Sequence, residues 1–162
     1  MPAGDIILGE GAFFINNVAV GLCRGGGKFS VEREYRVIEA DGDFGPVKGR
    51  IRKVKAVPKM EMNLLELTPA RLAQIHTAVT LTGSKLTAAA NVDATADYFT
   101  VKFVGETADG RDVIIEIQNA INMENIEMQF SDKEEVVQTV TFTGTYTDAA
   151  RTTEPWSMEF LT

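Results

Sequence analysis

GGGKFSVEREYRVIEADGDFGPVKGRIRKVKAVP, residues 25–58, is the stretch that decides the fold. Residues 28–39 alternate as a strand: Phe29, Val31, Tyr35 and Val37 point one way, and Lys28, Ser30, Glu32, Glu34 and Arg36 the other. Gly25, Gly26 and Gly27 are expected to break the chain just before it. Asp41-Gly42, Phe44-Gly45-Pro46 and Gly49 make residues 40–49 a loop, and residues 50–57 return as a second strand. Hairpin loops usually have about two to five residues, so this one is longer than its strands need. A long loop on a regular hairpin is expected to reach something. Its glycine and charge content predicts that it is not ordered before it does so.

Outward from the hairpin the chain reads mostly as strands. Upstream, residues 5–10 and 12–15 are short apolar runs. Asn16-Asn17 is a tight-turn pair leading into residues 18–23. Downstream, Pro58 is expected to end the second strand. Residues 59–67 then form another, with Met60, Met62 and Leu64 on one face. Thr68-Pro69 is a helix start, a capping hydroxyl followed by a proline whose missing N–H costs nothing in the first turn. Leu72, Ile75 and Val79 fall on one helical face, which predicts a helix ending within 80–83.

Beyond Gly83 come a weak strand at 84–92 and a hairpin. Phe99, Val101 and Phe103 alternate in one arm and Val113, Ile115 and Ile117 in the other, around the turn Thr107-Ala108-Asp109-Gly110. Ile126, Met128 and Phe130 alternate after a bulge expected near Glu124-Asn125. Residues 136–146 set Val140, Phe142 and Tyr146 against a row of threonines. Trp156, Met158 and Phe160 share a face of a last strand. About eight to ten strands and one helix are expected: a mainly β fold of two packed antiparallel sheets, a sandwich or partly closed barrel. The 162 residues form a single domain, with residues 40–49 as its long loop and 147–162 as a C-terminal arm or last strand.

The net charge of −7 hides an asymmetry. Residues 1–85 carry 12 basic and 9 acidic side chains, +3, and residues 86–162 carry 4 and 14, −10. Lys48, Arg50, Arg52, Lys53, Lys55 and Lys59 run without an intervening acid. A basic strand and an acidic half on one chain are complementary to a second copy, which favours head-to-tail contacts. The same charges also serve as ordinary solvated faces. No apolar run approaches the ~20 residues that span a membrane. Met1-Pro-Ala-Gly-Asp has neither the basic nor the apolar region of a signal peptide, so the chain is expected to be made and kept in a cytoplasm.

No catalytic constellation is legible. The one histidine, His76, sits on the helix without a nucleophile or acid in any known spacing, and reads as a surface or boundary residue. Cys23, the one cysteine, permits no internal disulfide and reads as a buried small hydrophobe. No His/Cys cluster suggests a metal, and Asp41, Asp43, Asp109 and Asp112 lack calcium-loop spacing. Gly25-Gly26-Gly27-Lys28 lacks the second glycine and the helix of a phosphate loop. The acidic whole, and the want of stacking aromatics among the lysines, argue against nucleic-acid binding by the basic run.

The glycine turn, the strand ending E-R-E-Y-R, the loop D-G…G-P-V-K-G, the basic strand, and the strand followed by T-P-A-R-L together resemble the tail tube proteins of long-tailed bacteriophages. Gly11, Val18, Val20 and Gly21 add to the likeness, which covers roughly residues 5–79 and extends to the acidic half only in type. The resemblance implies two orthogonally packed sheets flanked by a helix. It implies hexameric rings that stack into a tube through the long loop and the termini, in the tail of a virion assembled in the host bacterial cytoplasm. Implied partners are further copies, the tape-measure protein, and tail-tip and tail-terminator proteins. DNA passes through without specific binding, and no membrane, cofactor, metal or enzymatic activity is expected. On this reading Asp41, Asp43, Phe44, Pro46, Lys48, Arg50, Arg52, Lys53 and Lys55 make the contacts between subunits. The outward acids Glu32, Glu34, Asp112 and Glu116 are expected to line a lumen that must not hold phosphates. The competing expectation is a β-barrel module for a small apolar ligand or carbohydrate, its cavity lined by Met60, Met62, Met123 and Met128.

Overall fold

A computed structural model describes residues 6–161 of the chain. Asp5, expected to open the first strand, and Thr162, the last residue of the expected C-terminal arm, lie outside them. Among the described residues ten strands and one helix follow in order: β1 (Ile7–Ile15), β2 (Val18–Ala19), β3 (Cys23–Val37), β4 (Ile51–Leu64), α1 (Pro69–Ile75), β5 (Val79–Thr82), β6 (Lys85–Ala88), β7 (Phe99–Thr107), β8 (Asp112–Asn122), β9 (Gln138–Gly144) and β10 (Trp156–Phe160). All pairings are antiparallel. The fold is mainly β, with a large sheet ordered β2-β1-β7-β8-β9-β4-β3 and a two-stranded β5-β6 sheet. The large sheet does not close into a barrel, because β1 and β3 are not paired with each other. No described helix is long and apolar enough to cross a membrane.

The large sheet turns at β8. Along one edge β8 pairs β7; along the other it pairs β10 through Val113–Ile117 and β9 through Ala120–Asn122. At the change of partner Asn119 adopts φ 51°. The backbone there stays hydrogen-bonded, since Gln118 N–H donates to the Pro155 carbonyl and Thr145 N–H to the Asn119 carbonyl. Gly144 sits against this point. A Cβ on it would lie 2.6 Å from Pro58, 2.7 Å from Ile117 and 3.3 Å from Pro155. The turn brings both halves of the sheet onto one core of Phe13, Ile15, Met60, Met62, Leu64, Val101, Ile117, Val140 and Phe142, capped by Ile75 of α1.

Several expectations are corrected by neighbours distant in sequence. Gly25, Gly26 and Gly27 do not break the chain; they lie inside β3, with a register shift between Cys23 and Gly27. Pro58 does not end a strand either. It is buried within one continuous β4, one residue beyond the last β4–β9 pair, Lys59 with Thr143, so its missing N–H removes nothing from that ladder. Thr68 caps α1 as expected, its hydroxyl accepting from Arg71 N–H at 3.2 Å. The helix, however, ends at Ile75, where the buried Asn122 side chain donates to the Ile75 carbonyl at 2.5 Å and anchors it to β8. Ala78 at φ 59° then starts the β5–β6 hairpin, which replaces the expected end of the helix. Residues 126–130 are not a strand; Ile126, Met128 and Phe130 are exposed.

Candidate self-association surfaces

The hairpin of β3 and β4 has two parts. Near the core, β4 lies between β3 and β9. Beyond Pro58, Glu32–Val37 and Ile51–Val57 pair only with one another and carry residues 38–50 as a two-stranded arm. Seven strand residues at ~3.3 Å each make the arm roughly 20 Å long. Between Glu34–Lys55 and Tyr35–Lys53 the register shifts, leaving Val54 as a bulge. Tyr35, Ile38, Phe44, Val47, Ile51 and Val54 are all exposed, Val54 at 58% and Phe44 without any cover. An apolar set of this size on an arm is unusual for a surface that faces only water.

Of the nine residues expected at subunit contacts, four are engaged within the chain. Asp43 accepts from the Ala40 N–H and binds the Arg50 guanidinium at 3.0 Å, clasping the loop at its base. Arg52 donates to the Gly49 and Ile51 carbonyls. Lys53 binds Glu154, which also receives Arg33 at 3.2 Å and the Trp156 indole N–H at 3.2 Å. Hydrogen bonding by Lys53, then by Trp156 and Arg33, holds the Glu154 carboxyl below the ordinary carboxylate range. Glu154 thus ties the arm to residues 145–155. Asp41, Phe44, Pro46, Lys48 and Lys55 remain turned to solvent. The sequence reading missed Glu154, which lies about a hundred residues from its partner, a separation of 101. It also missed Ile51 and Val54, although their spacing of three breaks strand alternation and marks the bulge.

The four acids expected in a lumen fall on different halves of the sheet. Glu32 and Glu34 stand on the outer face of β3-β4, among Lys28, Arg36, Arg52, Lys55, Lys59 and Glu61, five cations against three carboxylates. Lys59 reaches Glu32 at 3.3 Å. Thr139, Thr141 and Thr143 of β9 continue this face. Asp112 and Glu116 stand on the outer face of β7-β8-β10 with Glu106 and Glu159, opposed by Lys102 alone. Lys102 in turn lies over the Phe14 ring, 5.6 Å from its centroid. One molecule therefore presents a face that is net basic and another that is net acidic.

A third surface is the seam between the unpaired edges of β1 and β3. Phe13 and Phe103 pack with their rings tilted, 5.1 Å between centroids, in its floor. Phe13 reaches across to β3, where a Cβ on Gly27 would lie 2.2 Å from its ring. The seam opens into a cavity of about 600 Å³ walled by Leu8, Phe13, Leu22, Phe29, Met60, Phe103 and Ile115. Of the four methionines expected to line a cavity, Met60 alone lies on this one; Met62 is buried in the core, and Met123 and Met128 are exposed.

Cys23 lies on this seam and is exposed, not buried as its apolar setting in the sequence suggested, because it opens an edge strand. Partial burial raises its thiol pKa, against the lowering influence of Arg71. His76, expected at the surface or its boundary, is 7% exposed, and neither ring nitrogen has a hydrogen-bond partner among the described residues. Burial lowers its pKa. Among the described residues no group of three or more His, Cys, Asp or Glu is placed to hold a metal ion. The chain matches no protein-family model and no curated protein.

Proposed function

We propose that the protein is a structural subunit that assembles with copies of itself into stacked rings, forming a tube of the kind found in long-tailed phage tails. The observation that supports this best is the β3–β4 arm, which has six exposed large apolar side chains and is held to the rest of the molecule by the Glu154 tie and by the Tyr146 hydroxyl, which donates to the Ala56 carbonyl at 2.7 Å. Burying them against a neighbour recovers roughly 25 cal/mol for each Å² of apolar surface removed from water. Faces of opposite net charge and the unpaired outer edges of β1, β3 and β10 add to the support. Free strand edges are liabilities in an isolated subunit and docking sites in an assembly.

On this reading the arm bridges copies, and the acidic β7-β8-β10 face suits a lumen that lets DNA slide. The lining expected there is then Glu106, Asp112, Glu116 and Glu159, while Glu32 and Glu34 belong to a charged contact face. A tape-measure protein, tail-tip and tail-terminator proteins are the partners such a tube needs, and the virion tail is its site. Electron microscopy of the concentrated purified protein tests the proposal. Rings or tubes of uniform width are expected; a monodisperse monomer at high concentration refutes it.

A further inference from the structure

Two features of the molecule fit each other and lie at opposite ends of one strand. At the far end of the hairpin, Phe44-Gly45-Pro46-Val47 forms an apolar tip, with Phe44 fully in solvent next to the Asp43 that clasps the base of the loop. At the near end, β3 forms one wall of the seam cavity, about 600 Å³ with aromatic and aliphatic walls open to solvent. We infer that the tip of one copy seats in the β1–β3 seam of the next, with Phe44 inside the cavity. This rests on the self-assembly reading above and adds to it the receiving site.

Three observations favour a second copy as the occupant. The cavity lies within the volume range of pockets that enclose a ligand of drug size, and so has room for a phenyl ring and its proline neighbour. The cavity wall carries Glu10 and Lys28 and the loop carries Asp41 and Lys48, none with an ionic partner among the described residues, so each surface offers one charge of each sign to the other. The third is geometric. From Phe29 on the cavity wall to Val37 at the base of the loop, β3 runs eight residues, roughly 26 Å at ~3.3 Å per residue, too far for a chain to fill its own cavity. A knob and a hole on separate parts of one surface make a heterologous contact, which propagates from copy to copy and does not stop at a dimer.

Cys23, the chain's one cysteine, lies on the seam and provides a natural probe. Gly45→Cys places a second thiol beside Phe44, at a position where a side chain meets nothing within 4 Å. Treatment of the assembled Gly45→Cys protein with a short bismaleimide is expected to give a ladder of trimers and higher species, with a peptide joining positions 23 and 45. Adding Cys23→Ser limits the products to dimers, and adding Phe44→Asp in place of it abolishes the ladder. If Gly45→Cys sediments as rings or tubes yet yields no 23–45 peptide, the seating is wrong and self-assembly stands. If it and the wild type both remain monomeric, the self-assembly reading falls as well. A small apolar molecule found in the cavity by native mass spectrometry, together with normal assembly of Phe44→Asp, also overturns the inference.

Discussion

Gly144→Ala tests the point on which the sheet turns. The added methyl carbon would lie 2.6 Å from Pro58 Cγ, 2.7 Å from Ile117 Cγ2 and 3.3 Å from Pro155 Cγ. Carbon atoms rest comfortably about 3.5–4.0 Å apart, so the first two neighbours must each retreat by nearly 1 Å. Neither is the free end of a flexible side chain. Pro58 is a buried ring within β4, and Ile117 is fully buried in β8. Overpacking of this kind costs about 1–3 kcal/mol, while replacing a strand glycine with alanine returns about 0.5–1 kcal/mol of backbone entropy. The clash wins, leaving a net loss of about 1–2 kcal/mol, or about 2–8 °C in Tm for a chain of this size. Urea unfolding followed by tryptophan fluorescence reads it directly, since Trp156 packs with Phe29 at 5.5 Å beside the same junction. Gly45→Ala is the control, as its methyl meets nothing within 4 Å and should shift stability by less than about 0.5 kcal/mol. Equal midpoints for Gly144→Ala and wild type would show that β4, β8 and the segment before β10 do not converge there.

Three other outcomes follow from the core and the arm. Phe142→Ala empties the largest buried side chain of the core and should cost about 3–5 kcal/mol in urea unfolding. His76 is buried with both nitrogens unpaired and a pKa below its ordinary value. Its unfolded state therefore binds protons more readily, so stability is complete above pH ~6.5 and falls as the pH drops towards the folded value. His76→Leu should remove that slope in Tm measured from pH 7 to 5. Glu154→Gln releases the charges of Arg33 and Lys53. Amide exchange should accelerate in residues 33–37 and 51–55 and stay unchanged in β8 and β9.

Where the chain was legible, the signal was local. The alternation of Phe99, Val101 and Phe103 against Val113, Ile115 and Ile117 around an Asp-Gly turn matches the β7–β8 hairpin. Asn16 and Asn17, at φ 50° and 65°, make the tight turn their residue types favour. Thr68-Pro69 opens α1. Where it was illegible, a distant partner decided. Pro58 survives inside β4 because the β9 ladder stops one residue short of it. The helical pattern running on to Val79 is overruled by the Asn122 anchor at Ile75.

The contact residues show the same division. The loop was visible from its glycines, but the Asp43–Arg50 clasp was not, because it depends on how the two ends of the loop meet. That clasp changes the choice of variants. Reversing Arg50 would disturb the loop itself, so the cations that probe contacts between copies are Arg36, Lys48 and Lys55.

The arm is the element by which copies of this chain are proposed to join. Replacing residues 41–48 with a short Asn-Gly turn removes its tip and leaves the core strands untouched. Sedimentation velocity over a wide concentration range, beside the wild type, is the most direct measurement. Large assemblies are expected for the wild type, and a folded monomer of unchanged Tm for the shortened chain. Assemblies of the same size from both chains would contradict that role for the arm.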